Sequence, residues 1–412
     1  MSLRTQRNFT DNLSQRHRTG KVWSNLFQIS TGVGIVALIV LLLNVTNSAF
    51  GYVAIQNEIE PKTLAINGIP LEQLHPIDLT HILEQNVSAG FFRAQQSEKP
   101  FEERSREEIY DMVIERVVKP EAVNTWSLFD SLFHKAEIEA EATEKYPGAE
   151  LCFTSWLSGD FFVTPQSSNP ERAGVRTAVL GSVWVITITL LFAFPMGVGA
   201  AIYLEEYAGD SWLNRLIQTN INNLAGVPSI IYGILGLAIF VRALEPLTSG
   251  AIVGTVDPTT ANGRTILSAG LTLGLLILPL IIINAQEAIR AVPNSLRQAS
   301  FGLGATKWQT IWHHVLPNAI PGILTGTILA VSRALGETAP LVVVGASTFI
   351  TFDPTSPFSK FTTLPIQIYQ WTSRPQDEFR NIAAAAIIVL LMILLSLNAV
   401  AVYLRNRYSK QL

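Results

Sequence analysis

Charge, cysteine and nucleotide-binding motifs are all scarce in this sequence of 412 residues. Only 15% of the residues are charged, whereas soluble domains carry about a quarter. The single cysteine, Cys152, excludes a framework of internal disulfides. The one Gly-Lys pair, Gly20-Lys21, is followed by Val22 rather than by Ser or Thr. The sequence therefore lacks the phosphate-binding loop of ATPases, and we expect any ATP to bind on another protein.

Apolar residues are abundant and occur in long runs. They make up 48% of the chain, and the mean hydropathy is +0.31. Because a bilayer core requires about 20 mostly apolar residues per helix, these runs predict an all-α integral membrane protein with six transmembrane helices. The predicted spans are 26–46, 178–204, 227–241, 266–285, 320–347 and 382–404.

Basic residues predict the orientation of the spans. The N-terminal tail, 1–25, carries five basic residues and one acidic residue, and the C-terminal tail, 405–412, carries three basic residues and no acid. Basic flanking segments stay in the cytoplasm. We therefore expect both termini inside, which requires an even number of spans. The loop 286–318, between the fourth and fifth spans, is also basic and falls on the same side.

The segment 47–173 is then an extracytoplasmic insertion between the first and second helices. Residues 50–173 include 21 acidic and 10 basic side chains, which indicates either a solvated surface or a docking face for a partner. Apolar spacing predicts helices over Phe101–Val118 and Glu121–Glu144. Alternation over Tyr52–Leu74, with a turn at Asn67-Gly68, predicts strands and hence a mixed α/β insertion. His75 and His81 have no metal-ligand pattern and are interpreted as surface residues.

The loop 286–318 has the pattern of two short helices rather than of a plain connector. Ser295 with Gln298, and Thr306 with Gln309, have the spacing of capping boxes, and two glycines separate them. The predicted helices would expose apolar side chains to water: Phe301, Trp308, Ile311 and Trp312. Such a surface fits either the groove of a partner protein or the headgroup layer of the membrane. Spacing alone leaves both interpretations open.

A charged pair interrupts the fifth span. Arg333 lies near the centre of the apolar run, where a lone charge costs at least about 2.5–3.5 kcal/mol. Glu337 is four residues further and can pair with it on one helix face. The pair either fixes helix packing or belongs to a translocation pathway, in which Arg333 attracts an anion and Glu337 holds the arginine when the path is empty. An arginine fork suits a tetrahedral oxyanion, because it donates two parallel hydrogen bonds.

The loop resembles the EAA loop of ABC-transporter permeases, which is a coupling helix seated in a groove of the ATP-binding subunit. Gln298-Ala299-Ser300 stands at the Glu-Ala-Ala triplet, Gly304 at the glycine and Leu316-Pro317 at the final Leu-Pro. Three positions depart from the family pattern: Gln298, Ser300 and His314. The resemblance implies that the residues contacting the ATPase are Gln298, Ala299, Ser300, Gly304, Trp308, Leu316 and Pro317.

The segment Arg333-Ala-Leu-Gly-Glu-Thr-Ala-Pro340 is similar to the Arg-Ala-x-Gly-Glu-Thr-Ala-Pro motif of PstA-type permeases, which belong to the phosphate-specific ABC importer. The similarity extends over about Val175–Tyr408. It implies a type I importer permease core over 174–404 and a pathway that includes Ser332, Arg333, Glu337 and Thr338. The implied partners are a PstC-like second permease, two copies of an ATP-binding subunit and an extracytoplasmic phosphate-binding protein.

The sequence thus predicts a permease subunit in the plasma (inner) membrane that performs no catalysis itself. No cofactor is expected in this chain, and ATP and Mg would be bound by the partner ATPase. Two alternatives stay open at this point. One is a permease for another oxyanion, such as sulfate or molybdate, and the other is a membrane-anchored sensor or scaffold.

Overall fold

The structure is a computed structural model that describes residues 13–66, 68–98, 100–254, 263–347, 349–350 and 352–409. Of the charges used to predict orientation, Arg4, Arg7, Asp11 and Lys410 lie outside these residues. The first element of the described residues is a long helix, α1 (Leu13–Ala49), which is apolar enough to span a membrane. It starts well before the predicted first span, because polar residues on either side of the apolar run continue the same helix.

The insertion is a mixed α/β unit that follows α1 directly. Its strands are β1 (Phe50–Asn57), β2 (Pro120–Thr125) and β3 (Glu150–Ser155), antiparallel in the order β2-β1-β3. Its helices are α2 (Pro76–Asn86), α3 (Ala89–Glu98), α4 (Arg106–Val113), α5 (Leu128–Phe133), α6 (Lys135–Lys145) and α7 (Gly159–Val163). A π-helical turn, Ile114–Val118, extends α4, and short 3₁₀ segments lie at Pro61–Leu64, Leu71–Gln73, Phe101–Glu103 and Pro170–Arg172.

Two predictions for the insertion are corrected by the sheet. The helix predicted over Glu121–Glu144 is wrong in its first part, because 120–125 pairs with β1 and only α5 and α6 are helical. Long-range strand pairing overrides local periodicity here. The predicted strands after Asn57 are also wrong, since short 3₁₀ segments follow β1. The predicted turn survives as a bridge between Ile66 and Ile69, although Asn67 lies outside the described residues.

The membrane part contains eleven further helices in the described residues. They are α8 (Arg176–Ile202), α9 (Trp212–Ala225), α10 (Ser229–Gly236), α11 (Glu245–Thr248), α12 (Ile266–Arg290), α13 (Asn294–Gly302), α14 (Lys307–Thr310), α15 (Leu316–Gly336), α16 (Ala339–Val344), α17 (Leu364–Thr372) and α18 (Asp377–Ser409). A π-helical turn extends α8 over Tyr203–Tyr207, another extends α10 over Leu237–Ala243, and a third joins α14 to α15 over Ile311–Val315. A 3₁₀ segment lies at Ala251–Val253.

Five helical stretches are long and apolar enough to cross a membrane, and a bent pair brings the number to six if it counts as one span. That pair is α9 with the helix 229–243, inclined at 105°. The prediction of a simple third span is therefore wrong in shape. Pro228 precedes α10, and proline both lacks an N–H and disfavours a helical conformation at the residue before it, so the helix breaks at 226–228.

The fifth predicted span, 320–347, is broken as well. The helix α15 ends at Gly336, Glu337 has an extended backbone with ψ of 123°, and α16 begins at Ala339. Pro340 in the first turn of α16 cannot continue the hydrogen bonding of α15. The apolar pattern continues through the break, so this pattern alone did not indicate that α15 ends at Gly336.

Helix α12 is the centre of the membrane part, and glycines let its neighbours approach closely. A Cβ at Gly270 or Gly274 would lie within 3 Å of side-chain atoms of Ile188 or Phe192 on α8. A Cβ at Gly326 of α15 would lie 2.3 Å from the Cβ of Asn284 on α12. The small-residue spacing thus lets both neighbours pack closely against α12.

Candidate functional site

The first site is a helical hairpin, residues 294–315, that joins α12 to α15. The helices α13 and α14 enclose a turn in which Gly304 has φ of +82°, in the left-handed region that favours glycine. Thr306 and Gln309 form a complete capping box at the start of α14. The box predicted for Ser295 and Gln298 is absent. Pro293 occupies the N-cap instead, and Ser295 lies inside the first turn, where its hydroxyl cannot cap the helix.

The hairpin is anchored to the end of the second span by a partly buried ion pair. The guanidinium of Arg297 donates to Glu206 Oε1 from Nε at 3.0 Å and from Nη2 at 2.7 Å. It also donates to the carbonyl oxygens of Val292 and Ile289, at 2.6 and 2.9 Å. The Ser300 and Thr310 hydroxyls, both buried, lie 2.8 Å apart and join α13 to α14. These bonds fix the hairpin to α8 and α12.

The outer side of the hairpin carries exposed apolar side chains. Phe301, Trp308 and Trp312 are each about half exposed, and Leu303 is 91% exposed. The Trp308 and Trp312 rings stack with centroids 5.5 Å apart. Ile311 was expected on this surface, but the structure places it in the interior, with 2% of its surface exposed. We call Phe301, Leu303, Trp308 and Trp312 the hairpin apolar face.

The remaining predicted coupling residues divide by position. Gln298, Ala299 and Gly304 are exposed beside the hairpin apolar face, whereas Ser300 is buried in the hydroxyl contact. Leu316 and Pro317 are half-buried in the first turn of α15, and Leu316 packs on the cluster formed with α8 and α12. Four of the seven residues, including Trp308, are therefore exposed, and the other three are buried or half-buried.

The second site lies at the break between α15 and α16. Arg333 Nε is 3.5 Å from Glu337 Oε1, and the two side chains are 46% and 18% exposed. The predicted pair is thus present, although Glu337 lies at the end of α15 rather than within a continuous helix. The Ser332 hydroxyl donates to Asn398 Oδ1 of α18 at 3.2 Å, and Thr338 occupies the N-cap of α16 without a side-chain cap bond.

The two broken helices meet beside this pair. Helix α10, which follows the first break, packs on α16, which follows the second. A Cβ at Gly233 would lie 2.7 Å from Pro340 Cα, so the two backbones are in close contact. Discontinuous helices at membrane depth often surround a substrate site. Arg333 and Glu337 therefore lie where the regular helical packing of the described residues is interrupted.

The acidic partners of Arg290 and Arg297 were not predicted from the sequence. Glu205 and Glu206 end the second span, and they pair with Arg290 and Arg297 across 85 and 91 residues. Counting basic residues for orientation left these acids unassigned. The signal in the sequence that could have indicated these pairs is the Glu205-Glu206 dipeptide, which lies on the same side of the membrane as the loop with Arg290 and Arg297. No group of three metal-ligating side chains occurs in the part of the chain that the structure describes.

Comparison with known proteins assigns a family to this geometry. Residues 193–410 match the family described as binding-protein-dependent transport system inner membrane component. The matched region contains both sites and begins after the insertion. It covers more than half of the chain.

Several curated proteins are similar over the same region. The phosphate transport system permease protein PstA of Yersinia pestis is 32% identical over 234 residues, which are 57% of this chain and 72% of that protein. PstA 1 of Mycobacterium tuberculosis (strain ATCC 25618 / H37Rv) is 34% identical over 240 residues, 57% of this chain and 71% of that protein. The probable ABC transporter permease protein YqgI of Bacillus subtilis is 34% identical over 218 residues, 52% of this chain and 68% of that protein.

Two solved structures are also similar. A methionine ABC transporter MetNI in an inward-facing conformation is 18% identical, with a TM-score of 0.43 over 56% of this chain and 96% of that chain. A bacterial alginate ABC transporter, in complex with a periplasmic protein that carries an alginate pentasaccharide, is 18% identical, with a TM-score of 0.45 over 69% of this chain and 92% of that chain. On the sequence matches, this multi-pass membrane chain belongs to the binding-protein-dependent transport system inner membrane components, among the PstA-type permeases.

Proposed function

We propose that this chain is the permease subunit of an ATP-driven phosphate importer and forms half of its translocation pathway. The names of the PstA relatives support phosphate as the substrate. The observation that carries the proposal is the Arg333 guanidinium. It is nearly half exposed and is held by one contact to Glu337, at the meeting point of two broken helices. A cation at membrane depth is costly, and an arriving anion would offset that cost.

Arg333 is the proposed anion-binding group. Its planar fork can donate two parallel hydrogen bonds to a tetrahedral oxyanion. Glu337 holds the fork when the path is empty and must give way to the anion, because two negative charges compete for one cation. Ser332 and Thr338 flank the pair and complete the proposed pathway residues. Ser332 is also tied to α18 through Asn398, so a movement of α18 would reach the site.

The hairpin is the proposed docking point for an ATPase. Its apolar face is rigid and exposed, which suits insertion into a groove of a partner. Motion of that partner would pass through Arg297 and Glu206 to α8, and through Leu316 to α15. Helix α15 carries Arg333, so the docking point and the anion site share one continuous helical stretch, Lys307–Gly336.

The other parts of the proposed assembly follow from this arrangement. The basic tails and the basic hairpin favour cytoplasmic termini, with the insertion outside. The chain has no phosphate-binding loop of its own, so ATP and Mg would bind to two copies of a separate ATPase subunit. A PstC-like permease would supply the other half of the pathway, and an extracytoplasmic binding protein would deliver phosphate.

Transport by the assembled complex tests the proposal. The complex is reconstituted in proteoliposomes with ATP enclosed on the ATPase side, and uptake of radiolabelled phosphate is measured with excess sulfate or molybdate. Phosphate uptake that depends on ATP and resists both competitors is the expected result. Competition by sulfate or molybdate would move the assignment to another oxyanion. An assembled complex that transports none of these anions would reject the permease function.

Substitution of the hairpin apolar face tests the docking assignment. Trp308→Ala removes a large exposed contact, so co-purification of the ATPase with the complex is expected to fall. Phe349→Ala, at an exposed aromatic residue far along the chain in the loop after α16, is the matched control. Retention of the ATPase by the Trp308 variant, together with weaker attachment to lipid, would assign the face to the headgroup layer.

A further inference from the structure

Helix α5 of the insertion exposes three large apolar side chains that no part of the described chain covers. Phe129, Leu132 and Phe133 are 55%, 65% and 69% exposed, and their spacing places them on one side of the helix. The Phe129 and Phe133 rings pack together with centroids 4.7 Å apart. We call these three residues the α5 apolar face. An exposed apolar cluster of this kind on a water-facing domain indicates a surface that contacts either another protein or a membrane.

The opposite side of α5 is hydrogen-bonded to α1 and β1, where the insertion begins. Ser131 is buried, and its hydroxyl accepts a hydrogen bond from the Tyr52 N–H of β1 at 2.8 Å. Ser127 caps the helix. The N–H of Phe129 donates to Asn47 Oδ1 of α1 at 2.7 Å. The α5 apolar face therefore has a fixed direction with respect to α1 and β1.

Asn47 places α5 at the edge of the bilayer. The apolar run of α1 ends at Val45, and two further residues of helix rise correspond to about 3 Å. The side chains of α1 before that point are exposed along the whole membrane-spanning window. The α5 apolar face thus continues a lipid-facing surface at the depth where aromatic side chains of membrane proteins concentrate.

We propose that the α5 apolar face lies in the outer interface of the lipid bilayer and seats the insertion on the membrane. The occupant is the lipid surface itself, because the face adjoins the exposed surface of α1 and contains no charged side chain. This contact with the lipid would fix the tilt of the three-stranded sheet above the permease core. The contact requires neither the substrate nor the ATPase.

The distal lobe of the insertion provides an internal control. Ile77 on α2 is 74% exposed. Helix α2 packs on α4 in a separate core, which joins the sheet where Glu58 N–H donates to Val118 O. The eight residues of β1 separate that point from α1 by about 26 Å. We therefore expect Ile77, which is exposed and apolar, to lie in water beyond the bilayer interface.

Nitroxide labelling tests the seat in the assembled, reconstituted complex. The chain has one cysteine, so Cys152→Ser gives a background in which Phe129→Cys, Leu132→Cys, Phe133→Cys and Ile77→Cys are labelled one at a time. Collision with oxygen, which partitions into lipid, is compared with collision with a water-soluble nickel chelate. Collision with oxygen should dominate at the three α5 positions, and collision with the nickel chelate should dominate at Ile77→Cys. The logarithm of the ratio of the oxygen to the nickel collision rate should therefore have opposite signs at the two sites.

Two outcomes overturn the proposal. Nickel access at the α5 positions equal to that at position 77 would place the face in water. Poor access of both reagents at all three positions would show that a protein covers it. Three positions report on the same face, so failure of one variant to assemble leaves the test intact.

Discussion

Two Arg–Glu pairs in this chain have the same chemistry and different surroundings. Arg297 and Glu206 are 14% and 11% exposed and approach to 2.7 Å, and two backbone carbonyls also accept from the guanidinium. Arg333 and Glu337 are 46% and 18% exposed and approach to 3.5 Å. Within the described residues, Glu337 is the one group paired with Arg333.

The difference indicates different tasks. A guanidinium has five N–H donors, and the surroundings of Arg297 occupy them, so this pair is a fixed joint between the hairpin and α8. Arg333 keeps donors accessible and has one loose partner that can be displaced. A saturated pair holds two elements together, whereas an unsaturated pair is suited to exchange its partner for a ligand.

Loss of Arg333 should have the largest effect. Arg333→Ala removes two charge-assisted hydrogen bonds, each of about 1.5–3 kcal/mol, so we expect phosphate uptake to fall by about 100-fold or more in a complex that still assembles. Arg333→Lys keeps the charge without the fork and should retain intermediate uptake. Wild-type uptake by the alanine variant would show that Arg333 has no role in phosphate transport that distinguishes its pair from Arg297–Glu206.

Loss of Arg297 should act on the joint rather than on phosphate. Arg297→Ala leaves Glu206 partly buried without its partner, which we expect to destabilise the complex by about 3 kcal/mol and to uncouple ATP hydrolysis from uptake. Thermal unfolding and the ratio of phosphate taken up to ATP hydrolysed measure the two effects.

Removal of both charges of the joint is the matched control. Arg297→Met combined with Glu206→Leu leaves no unpaired charge, so it should recover much of the stability that the single variant loses. An Arg297→Ala complex as stable and as tightly coupled as the parent would mean that the joint does not hold the hairpin.

Glu171 is a third carboxylate that can be compared with Glu206 and Glu337, and within the described residues it forms no ion pair. Burial raises the pKa of Glu171 to about 7; Arg172 opposes the shift, and Glu378 and Glu121 add to it. Arg172 itself pairs with Glu115 at 3.1 Å. Because the pKa is raised in the folded state, the stabilising contribution of the protonated group is complete below about pH 4.5 and is lost as the pH rises to about 7.

Glu171→Gln should therefore change the pH dependence of stability. The amide stays neutral, so the variant should match the parent at pH 4 and exceed it at pH 8 by about 2 kcal/mol, measured by thermal unfolding at both values. Glu137→Gln, at an exposed position on α6, is the control. An equal difference between parent and Glu171 variant at both pH values would refute the raised pKa.

The smallest expected effect is at the turn of the hairpin. Gly304 has φ of +82° and open space around its α-carbon, so Gly304→Ala adds strain of about 1 kcal/mol without a clash. Gly302 also has open space but ends α13 with ordinary helical geometry. Gly302→Ala should leave coupled turnover unchanged, and Gly304→Ala should lower it modestly. Equal turnover in both variants would argue that the turn geometry does not matter for coupling.

Local patterns predicted the parts of the molecule that depend on neighbours in sequence. Apolar runs gave the spans, Thr306 with Gln309 gave the start of α14, and the four-residue spacing gave the Arg333–Glu337 pair. Pro228 marked the third span as one that could kink, but the apolar run continues through this position and did not indicate a bend of 105°. Glu206 was missed as the partner of Arg297, since 91 residues separate them, and β2 was missed because pairing with β1 decides its conformation.

The central claim is that Arg333 binds the transported anion. A density map of the assembled complex with phosphate present, examined at the break between α15 and α16, tests this claim most directly. We predict tetrahedral density within hydrogen-bonding distance of the Arg333 guanidinium, with Glu337 displaced from it. Phosphate density elsewhere in the pathway, with the Arg333–Glu337 pair intact, would contradict the account.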